Sequence, residues 1–528
     1  MRVKESKYMS VPAKHVVMLA SENDALIGGK VGGVGDVVRD LPRALATLGW
    51  RATVIVPSYG VLHKKNTSSL QKTIRFPFGG KETEGEIWSA TPKQAHEGVS
   101  HLIVHHPDIG GEPIYHNDPP EHAFARDATK FALFCSAAGQ FCKTLEEPYL
   151  LHLHDWHTGF FFLLQQLHTQ FLHLREVKTV FTVHNIALQG TRPILGQYAS
   201  LKAWFPELFQ ETSWISSWKD SRYNTPCFTP MAAAIRFARK VNTVSLTYAE
   251  EILLPSDHQN GFYGGEGLQN ILQNAKREKK LFGILNGAEY PLTVEEAESS
   301  FQGLCELMKR EALVWNKKKA DKLFQNVFER IQEFGKHPPS ILLTSITRAV
   351  EQKLKLFYER NSKGIVAIDA ILHELARQNG LFIILGSGAS EYEQQLHDSF
   401  NKHQNMIFLD GYSDPVARAL YACGDIFLMP SSFEPCGIGQ MIAMREGQPC
   451  VVHAVGGLKD TVVDGVSGFT FGGATLGAQT DNFITAVSRA VRVFFENKHQ
   501  WEMIVTEAKN VRFTWEKSAR KYVELMYQ

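Results

Sequence analysis

The feature that most constrains the fold of this chain is an alternation of short apolar runs with amphipathic stretches, which occurs twice. In the first half, six apolar runs have the length of buried strands, at 15–20, 52–57, 101–106, 149–154, 179–184 and 241–245. Stretches with helical periodicity, such as 36–49 and 231–240, lie between them. This order predicts a parallel sheet whose strands are joined by helical crossovers.

A second series of strand-like runs follows at 340–346, 381–388, 406–412, 425–432 and 449–454. Between the two series, the stretch 291–338 is charged and has mainly helical periodicity. We therefore predict an α/β protein of two doubly wound, Rossmann-like domains that face each other across a cleft. The first predicted domain is 1–290, and the second is 291–505, which includes the mainly helical connecting region.

Composition narrows the class of protein. The chain has 528 residues, which predicts more than one domain, and its net charge of +1 argues against a large nucleic-acid footprint. The 7 cysteines are scattered without a C-x-x-C pair, which favours a reducing, cytoplasmic compartment over a disulfide framework or a zinc site. No apolar run reaches the roughly 18 residues of a membrane span. The opening MRVKESKYMS also lacks the apolar stretch of a signal peptide, so no membrane association is expected.

The glycines of KVGGVGDVV (30–38) follow the first predicted strand and precede a predicted helix. Gly32, Gly33 and Gly35 permit a tight turn in which a phosphate can approach backbone N–H groups, and Lys30 adds a positive charge. A strand-to-helix turn without a ligand is the alternative, and this stretch alone does not decide between them. It is not a Walker A motif, and no G-x-G-x-x-G follows the strand, which disfavours a dinucleotide dehydrogenase.

Polar side chains end two strands of the first half. His154, Asp155 and His157 stand in HLHDWHTG, and His184 and Asn185 follow the next strand. Two histidines and an aspartate are also metal-ligand types, but their spacing does not place them on one helical face. Because ligands of doubly wound sheets lie beyond the carboxyl ends of the strands, we interpret these tips as part of a polar-substrate site that hydrogen-bonds a sugar. A structural role is the alternative for each histidine.

Two motifs of the second half point to an anion. Arg348 and Lys353 in TRAVEQK follow its first strand and can neutralise a diphosphate, unless they are ordinary surface cations. In SSFEPCGIGQ (431–440), Glu434 lies in a predicted turn, and Gly437 and Gly439 are predicted to open a helix whose free N–H groups suit phosphates. A carboxylate at such a place can bind sugar hydroxyls or stabilise positive charge at a sugar carbon, whereas the alternative is a carboxylate that only favours the helix start.

With these motifs the chain resembles the family of bacterial glycogen synthases and plant starch synthases, which are retaining glycosyltransferases. The matching motifs run in family order from about residue 14 to 527, and they are KVGGVGDVV, HDWH, VFTVHNIALQG, NTVSLTYAEEI, YGGEGL, GILNG, R-x-x-x-x-K, FEPCGIGQ, VGGLKDTV and FTWEKSARKYVEL. The resemblance implies a glycosyltransferase-B fold with an N-terminal acceptor domain and a C-terminal nucleotide-sugar domain. It also implies that a C-terminal helix, in 506–528, crosses back to the N-terminal domain.

The reaction implied by the resemblance moves glucose from ADP-glucose, with UDP-glucose as the alternative donor, to the non-reducing end of an α-1,4-glucan. Anomeric configuration is retained, and neither a cofactor nor a catalytic metal is required. The catalytic residues that carry over by motif are Asp155, His184, Arg348, Lys353 and Glu434. The two cations would stabilise the departing diphosphate, and Glu434 would support the oxocarbenium-like transition state.

Further substrate contacts are implied by the same motifs. Tyr412 would stack on the nucleotide base, and the backbone N–H groups of Ile438 and Gly439 would bind phosphate. The residues implied to contact donor or acceptor are Lys30, Gly33, Tyr115, Asn286, Tyr412, Cys436, Gly437, Ile438 and Gly439.

Three departures from the family pattern bear on specificity. Gly439 stands where the family usually has threonine, which removes a hydroxyl near the phosphates. Glu289 replaces an aspartate, and Tyr115 is kept without its usual surroundings in 113–127. The alternatives are another retaining glycosyltransferase of this fold with a different acceptor, or a non-catalytic sugar-nucleotide-binding homologue. Joint retention of the catalytic residues argues against the second.

Overall fold

The computed structural model describes residues 14–111, 113–145, 149–290, 300–316 and 322–528. The chain forms two compact units. Unit 1 comprises Met1–Val244, Gly265–Ile284 and Trp515–Gln528, and unit 2 comprises Ser245–Gly264 and Leu285–Thr514. Each unit is built around its own sheet.

The strands of unit 1 are β1 (His15–Leu19), β2 (Arg51–Pro57), β3 (Ser68–Phe78), β4 (Lys81–Ala90), β5 (Val99–His105), β6 (Leu150–His154), β7 (Thr179–Val183), β8 (Arg192–Pro193), β9 (Cys227–Phe228), β10 (Lys240–Thr243) and β11 (Leu281–Gly283). The strands of unit 2 are β12 (Ile341–Ile346), β13 (Gly380–Gly386), β14 (Met406–Asp410), β15 (Ile426–Met429), β16 (Cys450–His453) and β17 (Gly468–Phe471).

The α-helices, in chain order, are α1 (Gly33–Thr47), α2 (Leu62–Lys65), α3 (Ala125–Cys142), α4 (Phe160–Leu167), α5 (Leu201–Trp204), α6 (Ile215–Trp218), α7 (Pro230–Phe237), α8 (Leu246–Glu251), α9 (Gln269–Arg277), α10 (Phe301–Asn316), α11 (Lys322–Lys336), α12 (Glu351–Tyr358), α13 (Ala367–Arg377), α14 (Ser390–Lys402), α15 (Asp414–Cys423), α16 (Gly439–Glu446), α17 (Gly456–Thr461), α18 (Leu476–Glu496), α19 (Lys498–Asn510) and α20 (Trp515–Lys521). A π-helix, Tyr522–Met526, follows α20. Within the described residues, no helix is both long enough and apolar enough to span a membrane.

Both main sheets are doubly wound, as the sequence predicts. In unit 1 the order is β11-β10-β7-β6-β1-β2-β5-β4-β3, with parallel pairing from β11 to β5. In unit 2 the order is β14-β13-β12-β15-β16-β17, and all pairs are parallel. The strand order reverses between β1 and β6 in unit 1 and between β12 and β15 in unit 2. Ligands of such sheets bind at these switch points, beyond the carboxyl ends of the strands.

The sequence analysis missed the antiparallel edge of unit 1. β3 and β4 pair antiparallel, and β4 pairs antiparallel with β5. Most of β3 is exposed, so its sequence lacks the continuous apolar run that marks a buried parallel strand. The turn between β3 and β4 uses Gly79 and Gly80, both with positive φ, which a glycine pair adopts readily.

The units divide the chain at other residues than the predicted domains do. Unit 2 begins again at Leu285 rather than at 291, and the return to unit 1 is at 515 rather than at 506. Residues 245–264 also belong with unit 2 because Ser245 and Thr247 hydrogen-bond to residues about 200 positions later in the sequence. Within the predicted connecting region, α10 and α11 are helical, while 291–299 and 317–321 lie outside the described residues.

A hydrogen-bond chain ties the C-terminal segment into the sheet of unit 1. The amide nitrogen of Asn242 donates to the carbonyl of the next residue and to the Tyr522 hydroxyl, so its oxygen accepts from Thr182. Because the Thr182 hydroxyl has donated its proton, His152 Nε2–H must donate to it, at 2.7 Å. The Tyr527 hydroxyl therefore donates to His152 Nδ1, at 2.8 Å.

We expect Tyr527→Phe to lower the free energy of unfolding by about 1–3 kcal/mol, because it leaves buried His152 Nδ1 without its donor. Tyr198→Phe is the matched control in unit 1, since Tyr198 is 68% exposed. Urea unfolding of the full chain measures both. Equal midpoints for the two variants would show that the C-terminal hydroxyl does not stabilise unit 1.

Candidate active site

At the switch point of unit 1, Asp155 holds the loop that leaves the neighbouring strand. Its Oδ1 accepts the backbone N–H of His184 at 2.7 Å and that of Asn185 at 3.4 Å. Asp155 has φ +58°, an uncommon conformation for a residue with a side chain. Burial raises the pKa of its carboxyl to about 7, although the two N–H groups oppose this. The polar residues that follow β6 and β7, predicted from the sequence to form one site, thus lie together.

The imidazole of His184 is held by a second histidine. His154 Nδ1 and His184 Nε2 are 2.9 Å apart, and His154 Nε2 is buried without a partner among the described residues. A proton on His154 Nδ1 avoids an unpaired buried N–H, so His154 donates and His184 Nε2 accepts. Burial lowers the pKa of His184 to about 3 and keeps the ring neutral. Its Nδ1 is then the protonated nitrogen.

The metal interpretation of these histidines finds no matching geometry. The ring of His157 stacks on Tyr115, with centroids 5.1 Å apart, and packs against the edge of Phe131. His154 and Asp155 contact the loop of His184 instead. Over the part of the chain that the structure describes, no three His, Cys, Asp or Glu side chains are grouped as a metal site needs.

The glycine loop, KVGGVGDVV (30–38), is held by hydrogen bonds to a side chain of the same unit. This corrects part of the prediction that its backbone N–H groups face a phosphate. Buried Glu22, just after β1, accepts the backbone N–H groups of Val31 and Gly32 at 2.7 and 2.6 Å. Its other oxygen accepts from the Tyr115 hydroxyl at 2.7 Å. The N–H group of Gly32, expected to be open to a phosphate, is therefore used by a carboxylate. Gly33, the first residue of α1, has nothing within 4 Å of where a Cβ would lie.

Lys30 lies beside this loop in an ion-pair network. Its Nζ is 2.6 Å from Asp36 and 3.5 Å from Asp24, which also pairs with Arg39 and Lys93. Burial would lower the pKa of Lys30, but the two carboxylates outweigh it and raise that pKa. The side chain is 42% exposed, so the ammonium remains accessible to an anion.

At the switch point of unit 2, Lys353 and Glu434 meet. Lys353 Nζ donates a hydrogen bond to Glu434 Oε2, and the two side chains form a largely buried ion pair. Lys353 is in the first turn of α12, and the turn that carries Glu434 follows β15. Gln352 also donates to the carbonyl of Phe433, at 2.9 Å. Arg348, between β12 and α12, is exposed.

The turn of Glu434 is fixed by close backbone contacts. Gly457 N–H donates to the Glu434 carbonyl at 3.0 Å, and Ser245 Oγ donates to the Pro435 carbonyl at 2.5 Å. A Cβ at Gly457 would lie 2.1 Å from the Cys436 carbonyl, so only glycine fits there. Gly437 has φ +74° and precedes the helix, which begins at Gly439 rather than at Gly437.

The other predicted residues of unit 2 lie in different settings. Asn286 is buried, and its Oδ1 has no partner among the described residues. Burial raises the pKa of the Cys436 thiol to about 12. Tyr412 is 62% exposed, and its hydroxyl donates to Asp414 at 2.7 Å. Ile438 is the N-cap residue of α16 and makes no side-chain cap.

The chain is similar to known proteins over nearly its whole length. The sequence profile of the starch synthase catalytic domain matches residues 15–274, and that of glycosyl transferases group 1 matches residues 355–492. A glycogen synthase from Moorella thermoacetica is 32% identical, over 98% of this chain and 97% of its own length. One from Anoxybacillus flavithermus is 30% identical, over 94% of both chains.

The chain belongs to the glycogen and starch synthase family. Among solved structures, the catalytic domain of starch synthase IV from Arabidopsis thaliana, bound to ADP and acarbose, is similar with a TM-score of 0.73 and 26% identity. That match covers 98% of this chain and 99% of the other. The α/β fold predicted from the sequence is confirmed, and this family member is a glucosyltransferase of the glycogen or starch synthase kind.

Sequence reasoning missed three residues that shape the site of this family member. Glu22 and Ser245 each follow a strand, β1 and β10, at the carboxyl end, and the rule that identified Asp155 would have found them. Glu251 is the last residue of the helix α8, so the strand-end rule does not identify it. Its carboxylate accepts the N–H of Gly456, 205 positions later, at 3.0 and 3.2 Å. Burial raises the pKa of Glu251 to about 7.

The carboxyl group of Asp155 makes stability depend on pH. Its folded pKa of about 7 lies above the unfolded value of about 3.9, so its contribution is full below the unfolded pKa and is lost as the pH rises through 7. We expect Asp155→Asn, which keeps an oxygen for the N–H groups, to flatten the fall of the unfolding free energy between about pH 4 and 7.

Urea unfolding across that pH range measures the effect. The control is Asp108→Asn, because Asp108 is an exposed carboxylate of the same unit. Parallel pH curves for the parent and Asp155→Asn would contradict the raised pKa.

Proposed function

We propose that this chain transfers glucose from ADP-glucose to the non-reducing end of an α-1,4-glucan, with retention of configuration. The observation that carries the proposal is the meeting of Lys353 and Glu434 at the switch point of unit 2. The similar starch synthase IV was solved with ADP and acarbose, a nucleotide and an oligosaccharide inhibitor, which supports both substrate classes. We further propose a cytoplasmic location, since all 7 cysteines are free.

The cations of unit 2 suit a departing diphosphate. Negative charge grows on that group as the glycosidic bond breaks, and preorganised donors stabilise it more in the transition state than in the ground state. Lys353 supplies a point charge and Arg348 a guanidinium that can bind phosphate through two nitrogens. The N–H groups of Ile438 and Gly439 at the start of α16 add to this set.

The carboxylate of Glu434 suits the transferred sugar. It is largely buried, and its turn is fixed by Gly457 and Ser245, so its position is preorganised. Positive charge develops at the anomeric carbon in an oxocarbenium-like transition state, and a fixed carboxylate stabilises it. With no donor bound, Lys353 balances the charge of Glu434.

The groups of unit 1 suit sugar hydroxyls. His184 is neutral and presents Nδ1–H as a donor, and Asp155 fixes the backbone that carries it. Lys30 is accessible for the donor phosphate or sugar. Tyr115 contributes less than the resemblance implies, because its hydroxyl is already engaged by Glu22 and Ser21.

One assay tests the proposal most directly. Full-length protein is incubated with glycogen and either ADP-glucose or UDP-glucose labelled in the glucose, and label in the precipitated glucan is followed. Incorporation with ADP-glucose supports the function. Absence of incorporation with both donors refutes it, and better use of UDP-glucose refutes the donor assignment only.

Base selection should depend on Tyr412. Its exposed ring can stack on a base, and a purine offers a larger face than uracil. We expect Tyr412→Ala to reduce the ratio of kcat/KM for ADP-glucose over UDP-glucose. Tyr198→Ala is the control, because it removes an equally exposed ring from unit 1. An unchanged ratio in Tyr412→Ala would rule out stacking on this ring.

We expect Lys353→Met and Arg348→Met each to lower kcat by about 100- to 1,000-fold, the usual cost of removing one preorganised donor. Lys355→Met on the same helix is the matched control, since Lys355 pairs with Glu351 at 3.2 Å. Circular dichroism confirms that each variant is folded before steady-state kinetics are measured. Losses below tenfold would show that neither cation stabilises the departing diphosphate.

A further inference from the structure

The hydroxyl of Tyr421 lies at the first turn of α16 without a hydrogen-bond partner among the described residues. Tyr421 belongs to α15, is 8% exposed, and packs against Phe427 with ring centroids 5.4 Å apart. A Cβ atom on Gly439, the first residue of α16, would be 3.3 Å from Tyr421 Oη. A phenol hydroxyl that donates to no protein group is available to donate to a ligand.

The helix end beside this hydroxyl favours an anion. The first backbone N–H groups of an α-helix have no partner within the helix, and the helix dipole makes this end partly positive. Ile438 provides no side-chain cap to satisfy them. The phenol hydroxyl lies beside the first residue of this helix, and a phosphate has enough acceptor oxygens to bind the hydroxyl and the N–H groups together.

Glycine at position 439 keeps this hydroxyl open. A Cβ there would also lie 3.6 Å from Phe427 Cζ, so a larger side chain would occupy the space in front of Tyr421. The resemblance to the family implies threonine as the usual residue here, with its hydroxyl near the phosphates. In this chain, which has glycine there, the hydroxyl of Tyr421 in α15 lies beside the same helix end instead.

We propose that Tyr421 donates a hydrogen bond to a phosphate oxygen of the nucleoside diphosphate, and that Gly439 makes this contact accessible. The inference rests on the proposed function, because it adds a residue to the donor site of that reaction. Burial raises the pKa of the Tyr421 hydroxyl, so it remains a protonated donor at neutral pH.

The test compares ligands with and without phosphates on the full-length protein. Binding of ADP is measured by calorimetry, and binding of adenosine by displacement of a fluorescent ADP analogue. We expect Tyr421→Phe to weaken ADP binding about tenfold, the usual loss for one hydrogen bond to a charged group, and to leave adenosine binding and the melting temperature unchanged. The control is Tyr358→Phe, a tyrosine of the same unit that contacts Ser399.

Two results would overturn the inference: ADP binding unchanged in Tyr421→Phe, or ADP and adenosine weakened by the same factor. A parent protein that binds neither ADP nor UDP would instead refute the proposed function. A double-mutant cycle adds a second test. Gly439→Thr should weaken ADP binding in the parent protein, because the added side chain crowds the Tyr421 hydroxyl. The same substitution should strengthen ADP binding in the Tyr421→Phe variant. A change in the same direction in both backgrounds would count against the proposal.

Discussion

The candidate site of this chain depends on buried and half-buried carboxylates that accept backbone N–H groups at loop ends. Loops that leave the carboxyl ends of parallel strands carry N–H groups that the sheet cannot pair, and burying them unpaired is costly. Glu22 satisfies two of them in the glycine loop, and Asp155 satisfies those of His184 and Asn185. Glu251 does the same for Gly456 in unit 2. Each carboxylate therefore fixes a loop that presents residues of the candidate site.

In unit 1, side-chain hydrogen bonds link the C-terminal segment to the strands that lead to the site. The chain from Tyr527 through His152 and Thr182 reaches Asn242, so residues at the C-terminal end stabilise strands that lead to the site. The rings of His152 and His154 pack in a tilted arrangement with centroids 4.2 Å apart, and His154 in turn sets the tautomer of His184. The histidine that we propose to contact the sugar is thus oriented by a second buried histidine.

In unit 2, two of the residues that we propose to bind the donor carry opposite charges in a largely buried setting. Lys353 and Glu434 neutralise each other, which lowers the cost of burying both. The glycines of this unit allow backbone segments to approach within van der Waals distance, as Gly457 does at Cys436. Gly439 has a separate effect, since it leaves a helix end and a phenol hydroxyl uncovered.

The sequence by itself determined the two doubly wound sheets, because strand and helix periodicities are local properties of the chain. It also placed His184, Asp155, Lys353 and Glu434 at strand ends, where a parallel sheet must bring ligand contacts together. It did not determine the β3–β4 edge, whose exposed strands lack an apolar run. Only the tertiary structure decided which groups pair: Glu22 with the glycine loop, Glu251 with Gly456, and the Tyr421 hydroxyl with the space at Gly439. These partners are 9 to 205 positions apart in sequence, and the folded backbone brings them within hydrogen-bonding or van der Waals distance.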